Sequence, residues 1–237
     1  MTVERIEFAM CLQTVYDLPR PFPANKEIPE WYKEMPTDAE GADGAASGTV
    51  KRCPPFLDAM TCGYIIPLVA DITLARDKTG AFHGEGPVFH DRGDFCRPLV
   101  QSHNPVQMRG SPVEQFPMVK LFNPWLIRTP PGYSTLFLAP QNRFQKFFYP
   151  VAGLVDTDLF YREVNFPTIL TIPPGKTLTL PRGTPLVQAI PIKRDEFQSE
   201  FVPIDVERLK EMQAKTDDCP ENYNFYKDNF WQKKSYR

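Results

Sequence analysis

All three histidines of the chain lie between positions 83 and 103. His83 and Glu85 form the His-x-(Asp/Glu) pattern of a two-histidine, one-carboxylate iron site, in which His90 or His103 would supply the second imidazole. Such a set on one face leaves coordination positions open for oxygen and a co-substrate. The spacing indicates a site for iron or another divalent metal at His83, Glu85 and His103. The alternative is that these are ordinary hairpin and loop histidines.

A pair of carboxylates is a second candidate for chemistry. Asp156 and Asp158 are two residues apart, so on a strand their side chains share a face. If they were buried together, their repulsion would raise the pKa of one carboxyl group, which suits a catalytic general base. The alternative, which we favour, is that the aspartates cap a turn and accept backbone N–H bonds.

Polar side chains also cluster at Gln141-Asn142-Arg143. A guanidinium binds phosphate or carboxylate groups through paired hydrogen bonds, and the neighbouring amides could complete such a site. We therefore expect a pocket for a small polar ligand, lined by Arg143, Tyr64 and the two aspartates, with residues 91–118 as a lid. The alternative is that such arginines tie loops to backbone carbonyls.

The elements that must position these residues are clearest in the segment 136–194. Short runs rich in Val, Ile, Leu, Phe and Thr alternate there with corners that contain proline or glycine. The 26 prolines occur along nearly the whole chain, at about twice the usual share of roughly 5%, and they disfavour long helices. The pattern predicts a compact, mainly β unit of short strands with long loops.

The positions of prolines and glycines predict where individual helices and strands begin and end. We predict a helical turn at 30–34, a short helix within 54–63 and one longer helix at 203–215. Residues 64–74 and 81–89 read as a hairpin, and 119–128 and 133–138 as two further strands. Residues 37–49 lack large side chains and read as a mobile loop. The whole chain is expected to form one domain, in which 1–50 wrap the surface, 51–200 form the β core and 201–237 add the helix and an aromatic arm.

The C-terminal arm from position 220 onward is unusually aromatic. Its aromatic residues are Tyr223, Phe225, Tyr226, Phe230, Trp231 and Tyr236. Leaving so many rings in water is costly, so we expect them to dock on this domain or on a neighbouring subunit. The arm thus predicts a homo-oligomer.

Charge and cysteine content exclude several classes of protein. A formal net charge of −2 gives no long-range attraction to nucleic acid or anionic membranes. The five cysteines are odd in number and lack CxxC spacing, which indicates reduced thiols. The N-terminus does not read as a signal peptide, and no apolar run approaches about 18 residues. We expect a cytoplasmic protein, with a place in a virion as an alternative.

Residues 153–158 (Gly-Leu-Val-Asp-Thr-Asp) and 178–192, with the Gly-Lys turn between them, resemble the C-terminal half of the dUTPase and dCTP-deaminase superfamily. The resemblance implies a β-clip or barrel-like fold and a nucleotide-like ligand. It matches Asp156 to the aspartate that orients the attacking water, and Gln188 to the glutamine of the last strand. The superfamily's Ala-Arg-Ser-Ser segment and its Gly-rich phosphate loop are not found in the chain, so the resemblance predicts the fold more than the activity.

The whole chain also resembles an uncharacterised family of similar length from marine tailed phages and some bacteria. The stretches that carry this resemblance are 31–36, 51–60 and 153–158. It implies a phage or bacterial origin and no particular mechanism.

Three functions follow as hypotheses. The first is a β protein that binds a small polar, possibly nucleotide-like ligand, with or without catalysis. The second is a phage structural or assembly protein, to which the high proline content and the aromatic arm are suited. The third is a non-haem iron oxygenase that uses His83, Glu85 and His103.

Overall fold

The structure is a computed structural model that describes residues 4–12, 17–42, 44–90, 96–217 and 225–236. Within these ranges the chain forms eighteen strands and four α-helices. The strands are β1 (Glu7–Met10), β2 (Phe22–Pro23), β3 (Asp38–Glu40), β4 (Ala46–Gly48), β5 (Tyr64–Pro67), β6 (Ile72–Arg76), β7 (Phe82–Glu85), β8 (Val88–His90), β9 (Cys96–Pro98), β10 (Val100–Ser102), β11 (Met118–Leu121), β12 (Trp125–Arg128), β13 (Tyr133–Leu138), β14 (Phe148–Pro150), β15 (Gly153–Val155), β16 (Phe166–Leu170), β17 (Lys176–Leu180) and β18 (Pro185–Lys193). The helices are α1 (Glu30–Glu34), α2 (Pro54–Thr61), α3 (Val206–Asp217) and α4 (Phe225–Asn229).

The strands form several small antiparallel sheets. A five-stranded sheet has the order β15-β13-β18-β5-β2, and a four-stranded sheet has the order β10-β11-β16-β14. A third sheet has the order β17-β6-β7, and three two-stranded ribbons complete the set. Every sheet in the described residues has two edge strands, so none of these sheets closes into a barrel. The predicted mainly β fold with a helix near the C-terminus is confirmed.

The core lies between these sheets and follows the period of two that strands impose. In β16 the side chains of Phe166, Thr168 and Leu170 are buried, and those between them are only half-buried. The buried apolar cluster draws from the larger sheets and from β6, and it includes Ile66, Leu74, Leu121, Phe137, Leu170 and Val187. Burial of such residues is the main stabilising contribution in a fold of short strands.

The nine-residue strand β18 is the centre of the five-stranded sheet. It pairs along its length with β13 and, on its other side, with β5. Gly63 joins α2 to β5 with φ of +67°, and a Cβ there would lie 2.3 Å from the carbonyl oxygen of Ala189 in β18. Only glycine fits both the backbone conformation and the close approach, so this junction fixes α2 against the central strand.

Several predicted elements are confirmed with shifted bounds. The helical turn at 30–34, the short helix within 54–63 and the hairpin turn at 77–80 are present. The predicted strand at 64–74 is split, because the Leu68 N–H bonds to Thr184 and its carbonyl accepts from Gly183. The predicted strand at 119–128 is interrupted at Pro124, which has no N–H to donate.

Two predicted loops carry regular structure instead. The segment 37–49 contains the β3–β4 hairpin. The described part of 91–118 contains β9, β10 and a 3-10 turn at Pro105–Met108. The late helix begins at Val206 rather than at 203, because the Asp205 carboxylate accepts the N–H of Arg208 and caps it. None of the helices in the described ranges is long and apolar enough to cross a membrane.

Candidate functional site

Asp158 is held between two strand ends by hydrogen bonds. Its carboxylate accepts bonds from both terminal nitrogens of Arg194, at 2.8 Å for Nη1, and from the N–H of Gly132 at 2.9 Å. Its side chain is 5% exposed. The Arg194 guanidinium, followed by the backbone N–H groups, lowers the pKa of Asp158 to about 2. The carboxylate is therefore a charged anchor that takes up no proton near neutral pH.

Asp156 shares the same arginine. Its Oδ1 accepts a bond from Ser134 Oγ at 2.6 Å and from Arg194 Nη1 at 3.3 Å. Its backbone carbonyl accepts the N–H groups of Leu159 and Phe160 at 3.0 and 2.8 Å. The structure therefore contradicts the predicted repulsive pair, because the Arg194 guanidinium bonds to both carboxylates. The aspartates occupy a turn, as the favoured alternative states.

Arg194 was missed by the sequence reasoning. It follows the last residue of β18, while the aspartates follow β15, and both strands flank β13. Because neighbouring antiparallel strands bring such ends together, the pairing order was the signal that could have found it. We name Asp156, Asp158 and Arg194 the arginine clamp. It fixes the point at which the chain leaves the β core.

Gln188, matched by resemblance to a functional glutamine, is fully buried and bonded on every side. Its Nε2 donates to the carbonyls of Ala59 and Cys62 at 3.0 and 2.7 Å. Its Oε1 accepts the N–H of Gln141 at 2.8 Å. The side chain joins β18 to α2 and to the loop after β13, and it has no atom left for a ligand.

The polar run at 141–143 is likewise used internally. The buried Arg143 donates from Nη2 to the carbonyls of Ala24 and Glu27 at 3.0 and 2.7 Å. Its desolvation by burial lowers the pKa of the guanidinium. Asn142, at φ of +55°, donates to the Phe56 carbonyl at 2.9 Å. The predicted anion pocket is therefore not formed, because these side chains tie loops to backbone carbonyls.

Gln141 follows the same rule as its neighbours. Its side-chain Nε2 donates to the carbonyl of Ala139 at 2.7 Å, while its backbone N–H serves Gln188. The proposed ligand-binding role of Gln141 therefore has no support in the geometry.

The histidines of the predicted metal site do not converge. A Cβ on Gly84 would lie 2.7 Å from a methyl group of Val100, so Gly84 faces β10. His83 and Glu85 flank Gly84 on β7 and lie on the opposite face of that strand. His103 follows the end of β10, the strand that Gly84 faces. In the described ranges, no group of three or more His, Cys, Asp or Glu side chains is placed to hold a metal ion.

His83 has a local partner instead. Its Nε2 lies 3.4 Å from Oδ2 of Asp77, at the turn of the β6–β7 hairpin. Asp77 also accepts bonds from the hydroxyl and N–H of Thr79 and from the N–H of Ala81. These bonds, that of the Thr79 hydroxyl first, lower the pKa of Asp77 to about 2. His83 thus belongs to a turn-capping cluster.

Tyr64 lies apart from the other predicted pocket residues. Its ring contacts those of Phe8 and Tyr236, with centroids 5.4 and 6.1 Å away. Burial raises the pKa of its phenol. Tyr64 lines a cavity of about 270 Å³ together with Arg5 and Tyr133. The predicted pocket therefore divides into separate places in the molecule.

A slightly larger cleft lies beside α2. Its volume is about 310 Å³, within the range of small-molecule sites. The walls are Thr37, Lys51, Arg52, Cys53, Pro54, Leu57, Asp58, Lys227 and Trp231. Sequence reasoning missed this cleft, because one wall comes from the C-terminal segment far along the chain.

The described C-terminal segment, 225–236, closes the cleft by docking on its own chain. Trp231 Nε1 and Lys234 Nζ both donate to Oδ2 of Asp58 in α2, at 2.8 and 2.6 Å. The Tyr236 ring packs on Tyr64. Of the two alternatives for the aromatic arm, these contacts favour docking on this domain. Tyr223 lies outside the described residues.

The segment between the arginine clamp and this docked tail is largely exposed. Residues 195–205 form no strand or helix, and α3 follows directly. We name residues 195–217 the arm; it is distinct from the aromatic C-terminal arm, whose described part is the docked tail 225–236. Phe197 and Phe201 show 92% and 103% of their reference surface to solvent. The other large apolar residues of the arm that are exposed are Val202, Ile204, Val206 and Leu209.

The β core carries an apolar surface of its own. It surrounds β14 and β15, which are edge strands of the two largest sheets. Its exposed members are Phe144, Phe147, Tyr149, Leu154, Leu159, Phe160 and Tyr161. We name this set the edge patch. Grouped exposed apolar side chains are a common feature of interaction surfaces.

Comparison with known proteins adds no relative. No protein-family model and no curated protein matches the chain.

Proposed function

We propose that this protein is a non-catalytic assembly subunit, joined to its neighbours through the arm. The observation that carries the proposal is the exposure of Phe197 and Phe201, neither of which touches its own chain appreciably. Leaving each ring in water forgoes about 1.5–3 kcal/mol of burial free energy. An ordered segment with six exposed apolar side chains is stabilised only when another surface covers it.

Residues first suggested for a catalytic or ligand-binding site support the same reading. Asp158 is paired with Arg194, Gln188 bonds to three backbone groups, and Arg143 serves two carbonyls. Each of these contacts stabilises the β core, and of these candidates only Asp156, 59% exposed at its side chain, lies largely in solvent. These hydrogen bonds and ion pairs therefore stabilise the fold of the subunit.

The proposal is tested by the mass of the protein in solution, measured by sedimentation equilibrium from nanomolar to high micromolar concentration. The wild type is expected to form an oligomer that the double substitution Phe197→Ser, Phe201→Ser converts to monomer. Val106→Ser, which changes an exposed apolar residue elsewhere, is the matched control and should leave the mass unchanged. A wild-type monomer over the whole range overturns the proposal.

The cleft beside α2 favours a second function, the binding of a small anionic molecule with a flat apolar part. Lys51, Arg52 and Lys227 supply positive charge, and Trp231 and Leu57 supply apolar surface. Arg52 is held by the Asp38 carboxylate at 2.5 Å, which pre-orients its guanidinium at the wall. Preorganised cations beside an aromatic ring suit a nucleotide-like ligand.

The main-chain anion site that a helix start often provides is absent from α2. Pro54 and Pro55 have no N–H, and the Phe56 N–H bonds to Cys53. Recognition in this cleft therefore depends on side chains. Titration with nucleoside monophosphates and aromatic carboxylates should change the fluorescence of Trp231 and raise the unfolding temperature, both less in Lys227→Glu. No response at millimolar ligand rules out this second function.

A further inference from the structure

The arm and the edge patch are both uncovered in one chain, and their chemistry matches. We infer that residues 195–202 of one copy add as a strand to the outer edge of β15 in a second copy. This inference rests on the proposed assembly function and names the surface that receives the arm.

The arm has the sequence pattern of a half-buried strand. In an extended conformation Phe197, Ser199 and Phe201 share one face, while Glu200 and Val202 share the other. Pro203 cannot donate to a sheet and ends the run. The segment therefore offers about one strand length of backbone with an aromatic face, which is the form of ligand used in β-augmentation.

β15 is suited to receive it. The strand pairs with β13 on one side only and is the end strand of its sheet. A Cβ on Gly153 would meet nothing within 4 Å, and Leu154 is 62% exposed. Edge strands in soluble proteins are normally blunted by short length, charge, proline or cover; β15 is three residues long but contains neither a charge nor a proline.

Two other outer edges fit less well. β14 contains Pro150, which lacks an N–H, and the N–H of the following Val151 already bonds to Pro167 in β16. The β17 edge presents Lys176, Thr177 and Thr179, which do not match an aromatic face. Of these three edges, apolar character without proline favours β15.

Charge supports the same pairing. Between 195 and 207 the arm carries five carboxylates and no lysine or arginine; these are Asp195, Glu196, Glu200, Asp205 and Glu207. Two exposed cations adjoin members of the edge patch in sequence: Lys146 precedes Phe147, and Arg162 follows Tyr161. Opposite charges around an apolar centre favour one orientation and discourage others.

A second copy is the occupant because each chain holds both halves of the contact. The arm begins directly after Arg194, which is bonded to Asp158 in the turn that follows β15. The start of the donated segment and the receiving edge therefore lie side by side on every copy, so two copies related by a two-fold axis can exchange arms reciprocally. Eleven extended residues, 195–205, span roughly 35 Å, and the first eight of them form the added strand.

The area is sufficient for a specific dimer. Four phenylalanines from two exchanged arms bury on the order of 600–1,000 Å², taking about 150–250 Å² for each ring. The aliphatic residues and the covered edge patches raise the total beyond the roughly 1,200 Å² of stable interfaces.

The test is a photo-cross-link between differently labelled copies. p-Benzoylphenylalanine replaces Phe201 in unlabelled protein, which is mixed at low concentration with ¹⁵N-labelled wild type, concentrated and irradiated. Trypsin releases the arm as 195–208 and the β14–β15 region as 147–162, because cleavage follows Arg194, Arg208, Lys146 and Arg162. The expected product joins unlabelled 195–208 to labelled 147–162. The probe at Val106 is the control and should give no such product.

The outcomes separate the two claims. A monomeric wild type overturns the assembly function itself. An oligomer whose arm cross-links to other peptides, or only within one chain, leaves the assembly function standing and overturns the choice of β15. As a second variant, Leu154→Lys changes an exposed side chain, so it should fold normally and weaken self-association at least tenfold. Thr177→Lys on the β17 edge is its matched control and should leave association unchanged; equal effects contradict the inference.

Discussion

The β core and the arm use side chains in opposite ways. In the core, polar groups that look reactive, such as Asp158 and Gln188, are bonded to neighbouring groups, although the buried Nε of Arg143 has no partner. In the arm, apolar groups that ordinarily lie inside, such as Phe197 and Phe201, are almost completely exposed. On the proposed assembly function, exposed apolar side chains mark the interaction surface better than reactive residue types do.

The largest loss of stability is expected from a substitution of Gln188 in the β core. Gln188→Ala removes three hydrogen bonds at once, those to the Ala59 and Cys62 carbonyls and that from the Gln141 N–H. Together with the cavity, the loss in unfolding free energy should be about 3 kcal/mol. Urea denaturation measures it, and Gln198→Ala in the arm is the matched control. An equal, small effect of both substitutions contradicts the structural role of Gln188.

The arginine clamp predicts a pH dependence. The folded-state pKa of Asp158 is about 2, below the unfolded value of about 3.9. Its contribution to stability is therefore fully present above about pH 4 and is lost as the pH falls towards 2. Arg194→Met should flatten this part of the stability profile, measured as the urea midpoint from pH 5 to pH 2. Arg162→Met, at an exposed arginine, should retain the wild-type slope.

The docked tail should show an intermediate effect. Trp231→Phe keeps an aromatic ring but removes the bond from Nε1 to Asp58. The expected loss is about 1 kcal/mol, confined to release of residues 225–236. Hydrogen exchange should accelerate in that segment while β18 stays protected. Uniform acceleration throughout the chain would mean that the tail is part of one cooperative unit.

The smallest effect on stability is expected in the arm. Phe197→Ser and Phe201→Ser should change the unfolding free energy of the monomer by no more than about 0.5 kcal/mol, because neither ring is covered. The measurement is made in urea at a concentration below that of dimer formation. A loss of several kcal/mol in the monomer would show that the arm packs on its own core.

The sequence allowed the β character, the turns and both main helices to be predicted, because proline, glycine and the period of two are local signals. The position of β13 was predicted to the residue. Arg194, Asp58 and the cleft beside α2 were not predicted, since they depend on which distant strands and segments meet. Asp156, Arg143 and His83 were chosen for their chemistry, and only their partners show that each is already engaged.

Residues 225–236 bind α2 through Asp58, and Arg194 binds Asp158 in the β core. The arm is therefore anchored to the β core on both sides. An endoprotease could cut the exposed arm directly, and both fragments would stay attached, one through Arg194 and the other through Asp58. On the proposed assembly function, such a cut would weaken the contact between copies without releasing either fragment.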